Sequence, residues 1–224
     1  MIKNKIKVFD VFGIFGGTFN PIHYGHLNII NKVIKMIRFK QIIFLPNYKP
    51  WYRCINIIEN IEHRIKMIQL GIKNFNPYVD KNFFKIVFHK HYSIIETLFF
   101  YRKKYGFNQS LIFILGSDSL ESINKWIEWE CILNFCHLFV FPRYKKKYDF
   151  NQEIKCWIKK NQIFDINIFY FLPFGKIYLY DKKTLCNISS TEIRNLKIQN
   201  QNYYYKIPYS IFCYIRKNEL FIKK

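Results

Sequence analysis

The sequence contains no Cys-x-x-Cys pair, although it has six cysteines. They are dispersed, and most lie in apolar surroundings such as ECILNFCHLF, which favours buried, reduced thiols and a reducing compartment. Cys131, Cys136 and His137 are close in sequence, but their spacing matches no zinc-ligand pattern. The cysteines therefore predict neither a disulfide scaffold nor a zinc site.

Long hydrophobic runs and linkers are also missing. No stretch approaches the roughly 18 apolar residues that cross a bilayer. The amino-terminal MIKNKIKVFDVFGIFGG carries lysines and an apolar run, but it has no small-residue cleavage site of a secretory signal. No internal repeat or Gly/Ser-rich linker marks a boundary. We therefore expect a cytoplasmic protein with one domain, residues 1–224, which is long enough to bury a sizeable core.

Acidic residues are scarce: 15 Asp and Glu stand against 36 Lys and Arg, a formal charge of +21. Such a balance raises the local concentration of anions such as nucleotides or nucleic acid. A general bias towards Ile, Phe, Tyr, Asn and Lys explains part of it. The densest basic run, RYKKKY (Arg143–Tyr148), is typical of a solvated loop. Bulk nucleic-acid binding is therefore a minor alternative.

What the sequence does contain is an alternation of short apolar runs with longer helical patterns, which predicts an α/β fold with a doubly wound, mostly parallel sheet. Ligands bind such sheets at the carboxyl ends of strands, near a topological switch point. The predicted strands are Lys7–Phe15, Gln41–Pro46, Phe83–Phe88, Leu111–Gly116, His137–Pro142 and Gly175–Asp181. The predicted helices are 26–37, 59–71, 93–105, 128–135, 152–160, 190–197 and 209–218.

One motif, GIFGGTFNPIHYGHL, begins at the end of the first predicted strand and enters a predicted helix near His26. Gly16, Gly17 and Thr18 allow the backbone to approach a phosphate closely, and a helix N-terminus supplies free N–H groups. The imidazoles of His23 and His26 can donate hydrogen bonds to phosphate oxygens. Zinc binding is disfavoured because no third ligand is near. The motif predicts a phosphate site.

A second motif, ISSTEIR (Ile188–Arg194), lies far downstream. Ser189, Ser190 and Thr191 can cap a helix while offering hydroxyl and N–H groups to phosphate. Arg194 adds a cation one turn later. Alone, this string is equally typical of a capping box. Together with the first motif it indicates a second phosphate contact.

Both motifs resemble the signatures of the nucleotidyltransferase superfamily that shares H-x-G-H with class I aminoacyl-tRNA synthetases. Further segments occur in the order found in bacterial-type nicotinate mononucleotide adenylyltransferases, a resemblance that covers nearly the whole chain from Gly13. These segments are LPNYKPWYR, Arg64 with Met67, YSIIETL, ILGSDSL, WIEWECIL, FPR, GKIYLYD and YIRKNELF.

The resemblance implies a role for each matched residue. His23, His26 and Arg194 would be catalytic, with His26 closest to the α-phosphate of ATP. The other phosphate and nucleotide contacts would come from Gly16, Gly17, Thr18, Gly116, Asp118, Ser189, Ser190 and Thr191. Asp118 would reach ribose hydroxyls, and the nicotinate mononucleotide would be held by Ser93, Thr97, Trp126 and the backbone at Ile127. The residues alone leave two other interpretations open: Trp126 as a half-buried anchor, and Asp118 as a helix N-cap, a role that is compatible with a ribose contact.

The implied reaction transfers the adenylyl group of ATP to nicotinate mononucleotide, giving deamido-NAD and pyrophosphate. Mg²⁺ would be carried by the nucleotide phosphates, since no carboxylate cluster forms a metal cage. The sequence departs from the family at Asn20, which replaces the signature Asp, and at Trp51–Tyr52, which replace Pro-His of P-P-H-[K/R]. Phosphopantetheine adenylyltransferase, a cytidylyltransferase and a non-catalytic basic nucleic-acid-binding protein are the alternatives.

Overall fold

The computed structural model describes residues 8–47, 59–73, 83–88, 93–142, 150–181 and 188–222. Expectations for three features lie outside these residues: the basic run from Arg143 to Tyr148, the Trp51–Tyr52 departure, and the cysteines Cys54 and Cys186. No helix among the described residues is long and apolar enough to span a membrane.

Within the described residues, seven strands form one sheet in the order β3-β2-β1-β4-β5-β7-β6, and every pairing between them is parallel. The doubly wound parallel sheet expected from the sequence is therefore confirmed. The strands are β1 (Val11–Gly17), β2 (Phe39–Pro46), β3 (Phe84–Ile86), β4 (Ser110–Gly116), β5 (His137–Phe141), β6 (Gln162–Ile163) and β7 (Ile177–Leu179).

Helices cover both faces of the sheet because alternate residues of each strand point to opposite sides. Val11 and Phe15 of β1 pack in one apolar cluster, whereas Phe12 and Ile14 pack in the other. The helices are α1 (Tyr24–Met36), α2 (Ile61–Lys73), α3 (Ile94–Tyr105), α4 (Ser117–Leu120), α5 (Gln152–Asn161), α6 (Ser190–Ile198) and α7 (Tyr209–Lys217). The first cluster contains buried residues of α1, α2, α6 and α7, and the second contains those of α3, α4 and α5.

Several sequence-based elements differ from those of the structure. β1 begins at Val11, where its partners Phe39 and Ser110 begin, and it continues to Gly17 beside Pro46 of β2. The expected helix 128–135 is a six-residue 3-10 helix, Trp129–Asn134. It starts after Glu128 because the left-handed backbone of that residue (φ 52°) cannot form part of a helical turn. The short β6 was not predicted.

Candidate active site

The topological switch point of the sheet lies between β1 and β4, which are neighbours although their following connections lead to opposite faces. Phe15 pairs with Ile114, so both strands end at the same edge of the sheet. After β1 the chain turns into α1, and after Gly116 it enters α4. Both candidate nucleotide-binding segments therefore leave the sheet side by side, at the position where doubly wound folds bind ligands.

Gly16 allows an aromatic ring of β4 to lie against the backbone of β1. A Cβ at Gly16 would be only 2.7 Å from Cζ of Phe113. The Phe113 ring also packs edge-on against Trp126, with centroids 6.3 Å apart. The phosphate-loop candidate Gly16 and the ring-stacking candidate Trp126 therefore both lie against the ring of Phe113.

The loop between β1 and α1 is compact and buried. Phe19 has a left-handed backbone (φ 47°), and the Asn20–Pro21 peptide bond is cis. Phe19 is 1% exposed and its ring contacts the His26 ring edge-on at 5.1 Å. A Cβ at Gly17 would lie 2.9 Å from the Phe19 ring, so glycine permits this folding back of the loop.

The two histidines of the first motif lie together at the start of α1. Their ring centroids are 3.8 Å apart, and both side chains are buried, at 3% and 7% exposure for His23 and His26. His23 is the N-cap residue, and the first turn of α1 contains no acidic side chain that would neutralise the positive end of the helix. The adjacent Gly25 leaves room for the His23 ring, since a Cβ there would be 2.9 Å from it.

The second motif is bonded directly to this loop. The hydroxyl of Ser190 donates to the carbonyl of Pro21 at 2.9 Å, and Nη1 of Arg194 donates to the carbonyl of Asn20 at 2.8 Å. Nη2 of Arg194 donates to the hydroxyl of Thr191 at 3.1 Å. The N-cap of α6 is Ser189, whose hydroxyl accepts from the amide of Glu192. The two motifs therefore form one assembly.

Two helix N-termini consequently start beside the same loop. The Glu192 carboxylate in the first turn of α6 pairs with Lys206 at 2.9 Å. Burial lowers the pKa of the Arg194 guanidinium from its ordinary value, but an arginine remains charged at neutral pH. The assembly can offer backbone N–H groups, hydroxyl groups, imidazoles and a guanidinium, the donors that bind phosphate oxygens.

Arg64 of α2 stabilises the loop after β1, although the sequence analysis assigned it no role. It is 1% exposed, and its Nη1 donates to the carbonyls of Thr18 at 2.9 Å and Asn47 at 2.6 Å. Its Nε donates to the carbonyl of Glu59 at 3.1 Å. Burial lowers its pKa to about 10, which still leaves it protonated at neutral pH. The sequence feature that could have revealed this contact is an arginine on the apolar face of a predicted helix.

On the β4 side, Gly116 is the N-cap of α4 and Asp118 lies in its first turn. The alternative in which Asp118 itself caps the helix is therefore wrong. Trp126 is half-buried, and Ile127 is 63% exposed.

The remaining two candidates for the mononucleotide lie at the start of α3. Ser93 forms a capping box in which its amide donates to Glu96 at 2.6 Å and its hydroxyl accepts from the Glu96 amide at 3.2 Å. Thr97 is 2% exposed. These bonds fix the first turn of α3, and with it the position of both side chains.

No group of three or more His, Cys, Asp or Glu side chains that could hold a metal ion occurs among the described residues. Cys131, Cys136 and His137 do not form one either. His137 is fully buried, with Nδ1 accepting from the amide of Lys176 at 3.1 Å and Nε2 lying 2.8 Å from the carbonyl of Leu172. Its ring nitrogens are thus used in structural hydrogen bonds.

Comparison with known proteins agrees with this geometry. Residues 14–196 match the family model described as cytidylyltransferase-like. A relative from Buchnera aphidicola (subsp. Acyrthosiphon pisum, strain Tuc7), named "probable nicotinate-nucleotide adenylyltransferase", is 38% identical over 94% of each chain. One of the same name from Yersinia enterocolitica is 33% identical over 98% of this chain and 99% of its own.

The fold also matches a solved structure. The nicotinic acid mononucleotide adenylyltransferase of Plasmodium falciparum, in complex with NaAD, superposes with a TM-score of 0.72, covering 95% of this chain and 97% of that chain at 21% identity.

Fold and site together define a nucleotidyltransferase with a parallel doubly wound sheet. The chain belongs to the cytidylyltransferase-like family and, within it, to the nicotinate-nucleotide adenylyltransferases. Enzymes of this family generally use a divalent metal ion with ATP.

Proposed function

We propose that the protein transfers the adenylyl group of ATP to nicotinate mononucleotide, giving deamido-NAD (nicotinate adenine dinucleotide) and pyrophosphate in NAD biosynthesis. The observation that carries the proposal is the bonding of ISSTEIR to the Asn20–Pro21 segment through Ser190 and Arg194. It brings the hydroxyl, N–H and cationic groups that we assign to phosphate binding in both motifs to one end of the sheet.

In this reaction a 5′-phosphate oxygen of nicotinate mononucleotide forms a bond to the α-phosphorus of ATP, while the bond from that phosphorus to the bridging oxygen of pyrophosphate breaks. The nucleophile is already an anion, so no side chain has to remove a proton. Positioning and neutralisation of charge on the phosphoryl oxygens supply the rate enhancement. The donors of the two motifs serve both needs.

We assign the residues accordingly. His26, whose ring centroid lies 3.8 Å from that of His23, donates to the α-phosphate, and the backbone at Gly16, Gly17 and Thr18 lies along the phosphates. The first turn of α6 holds the β- and γ-phosphates through Ser189, Ser190, Thr191 and Arg194. Asp118 and Gly116 border the ribose. The pyridine ring stacks on Trp126, with Ile127 offering its backbone and with Ser93 and Thr97 at the start of α3.

Magnesium is the divalent ion that we assign to this reaction, where it would neutralise phosphate charge. Mg²⁺ keeps several waters and is usually held by substrate phosphates with few protein carboxylates. The donors of the two motifs are N–H, hydroxyl and cationic groups, which suit the phosphates that carry the ion. These residues would hold the metal complex through its nucleotide.

The proposal also includes a single nucleotidyltransferase domain over residues 1–224 and a cytoplasmic location. The cytoplasmic assignment is supported by the cysteines in the described part of the chain, which are free thiols, as expected in a reducing compartment. These are Cys131, Cys136, Cys156 and Cys213.

The test is pyrophosphate release from ATP with nicotinate mononucleotide, nicotinamide mononucleotide or phosphopantetheine as the acceptor. We expect turnover with the acid, and the His26→Ala variant, prepared identically, shows whether a contaminating enzyme contributes. A preference for the amide would contradict the substrate assignment. Turnover with phosphopantetheine and with neither mononucleotide would identify the protein as a phosphopantetheine adenylyltransferase. Salt-dependent nucleic-acid binding without any turnover would contradict catalysis.

A further inference from the structure

Glu59 lies two positions before the first residue of α2 and is bonded to the loop after β1 through its backbone. Its amide donates to Oδ1 of Asn20 at 3.2 Å, and its carbonyl accepts from Nε of Arg64 at 3.1 Å. Nη1 of Arg64 in turn donates to the carbonyl of Thr18 at 2.9 Å. The Glu59 backbone therefore contacts the loop directly at Asn20 and, through Arg64, at Thr18.

Asn20 is the point at which two parts of the chain hold this loop. It is 1% exposed, and its carbonyl accepts from Nη1 of Arg194 at 2.8 Å while its side-chain oxygen accepts from Glu59. Asn20 precedes His23, the N-cap of α1, by three residues. A shift of the Glu59 backbone would therefore move the segment that leads into both motif histidines.

The Glu59 side chain is bonded to a third part of the chain. Its Oε1 accepts from the backbone amide of Phe221 at 2.7 Å, and the two residues lie 162 positions apart. A hydrogen bond from an amide to a carboxylate is roughly twice as strong as one between neutral groups. This bond can therefore fix the position of Glu59, provided that Phe221 is itself firmly held.

The turn after α7 does hold Phe221 firmly. The amide of Leu220 donates to the carbonyl of Ile215 at 3.0 Å and that of Glu219 to the carbonyl of Arg216 at 3.3 Å, which is the Schellman ending of a helix. Glu219 (φ 49°) and Phe221 (φ 60°) have left-handed backbones, which residues other than glycine keep only where their surroundings enforce them. Leu220 and Phe221 are 4% and 1% exposed, so both are packed in the core.

We propose that Glu59 is a positioning residue of the adenylyl transfer: its carboxylate, held by the amide of Phe221, fixes the backbone groups that bind Asn20 and Arg64 and so keeps the loop after β1 in its reactive shape. The inference rests on the proposed function. Glu59 acts through Asn20 and Arg64 and does not contact the substrate.

A second bond between the same two regions offers a matched control. His63, in the first turn of α2, has its Nδ1 2.8 Å from the hydroxyl of Tyr214 in α7. Like Glu59 it ties the α2 region to the α7 region, but it has no role in the proposed reaction. If Glu59 only stabilises the fold, loss of either bond should have the same effect on turnover. If Glu59 positions the loop, only its own loss should slow the reaction.

Steady-state pyrophosphate release tests this, at a temperature at which thermal unfolding shows every variant to be folded. Glu59→Ala should lower kcat by roughly 10- to 100-fold, the scale for misplaced catalytic groups, with less change in the KM for ATP because the phosphate donors remain. Glu59→Gln keeps an acceptor for the Phe221 amide and should recover most of the turnover. His63→Ala should keep the wild-type kcat.

Two results would overturn the inference. Equal kcat values in Glu59→Ala and His63→Ala would leave Glu59 a structural role only. Equal losses in Glu59→Gln and Glu59→Ala would assign the effect to the charge of Glu59, since both variants remove the charge but only Ala removes the acceptor.

Amide hydrogen exchange measures the positioning independently of turnover. Glu59→Ala should speed exchange of the amide at position 59, relative to its intrinsic rate, by about tenfold or more, the scale for one hydrogen bond to a charged group. His63→Ala should leave exchange at this position unchanged, and equal exchange in all three proteins would refute the role of Phe221. If the wild type releases no pyrophosphate with any acceptor, the proposed function fails, while this measurement still decides whether Phe221 positions Glu59.

Discussion

Arg194 donates from Nη1 to the carbonyl of Asn20 at 2.8 Å and so joins two segments that lie 174 residues apart. Asn20 immediately precedes the cis peptide bond at Pro21, whose own carbonyl accepts from Ser190. The position of α6 and the shape of the loop after β1 are therefore set by the same few bonds. A substitution in α6 is therefore expected to alter the loop after β1, and a substitution in that loop to alter α6.

For this reason we expect Arg194→Ala to lower kcat/KM by about 10²–10³, the scale for losing a donor that stabilises charge in the transition state. The melting temperature should fall as well, since a buried carbonyl loses its partner. Steady-state pyrophosphate release and thermal unfolding are the measurements. Arg194→Lys keeps the charge but not the two-pronged geometry, and it should recover only part of the activity. Lys159→Gln on the exposed side of α5 is the control, with wild-type values expected.

A second prediction compares the loss of a histidine in the first motif with the loss of a histidine elsewhere in the protein. His26→Ala should reduce kcat by roughly 10²–10³ because it removes a donor to the α-phosphate. His63→Ala is the matched control, because His63 is half-buried, has no role in the proposed reaction, and has its Nδ1 2.8 Å from the hydroxyl of Tyr214. It should lose some stability while keeping its turnover. Near-wild-type turnover in His26→Ala would disprove the role given to that residue.

The sequence was sufficient to predict the fold where the local hydrophobic pattern of a segment matches the element that it forms in the sheet. Apolar runs identified six of the seven strands in the described part of the chain, and the glycine-rich turn after β1 indicated the candidate ligand-binding edge. It missed β6, Gln162–Ile163, because two residues carry no periodicity. The sequence pattern predicted a helix over residues 128–135, because composition does not reveal the left-handed backbone of Glu128.

The residues of the candidate site could be selected from the sequence, but the contacts between them could not be predicted from it. Both motifs were recognisable from residue type and order. The bonds from Ser190 and Arg194 to the Asn20–Pro21 carbonyls were not, since main-chain acceptors have no sequence signature. The same holds for Arg64, which holds the carbonyls of Thr18 and Asn47.

A third prediction concerns Gly16. Its replacement by Ala would place Cβ 2.7 Å from Cζ of Phe113, so the ring or the strand must shift. We expect a loss of about 1–3 kcal/mol in the free energy of unfolding, as for overpacked cores, and reduced activity because the shift displaces the loop. Denaturant unfolding and pyrophosphate release are the measurements.

Two further variants test this explanation. Adding Phe113→Leu to Gly16→Ala should restore part of the stability, since the shorter side chain leaves room for Cβ. Gly71→Ala in α2 is the matched control, because Cβ there would lie 3.4 Å from Cδ1 of Ile211, an ordinary contact. It should raise stability by up to about 1 kcal/mol through helix propensity. Equal losses in the two single variants would indicate that Phe113 is not the cause.

The last prediction concerns His137 and pH. Burial lowers the pKa of this imidazole to about 4. The amide of Lys176 donates to Nδ1, so the neutral ring donates from Nε2 to the carbonyl of Leu172. Between pH 6.5 and 4 the unfolded chain therefore binds a proton that the folded chain does not. Stability falls as pH falls through this window, by about 3 kcal/mol from this group alone.

Urea unfolding at several pH values between 4 and 7 measures the effect, with His137→Asn as the comparison. Asn keeps an acceptor for the Lys176 amide and does not titrate, so the variant should be less stable at pH 7 and lose less stability on acidification. Carboxylate titrations contribute equally to both proteins, and the difference between their profiles isolates His137. Parallel profiles of unfolding free energy against pH would show that another group controls acid sensitivity. Only a titrating group that the variant lacks can make the two profiles differ in slope.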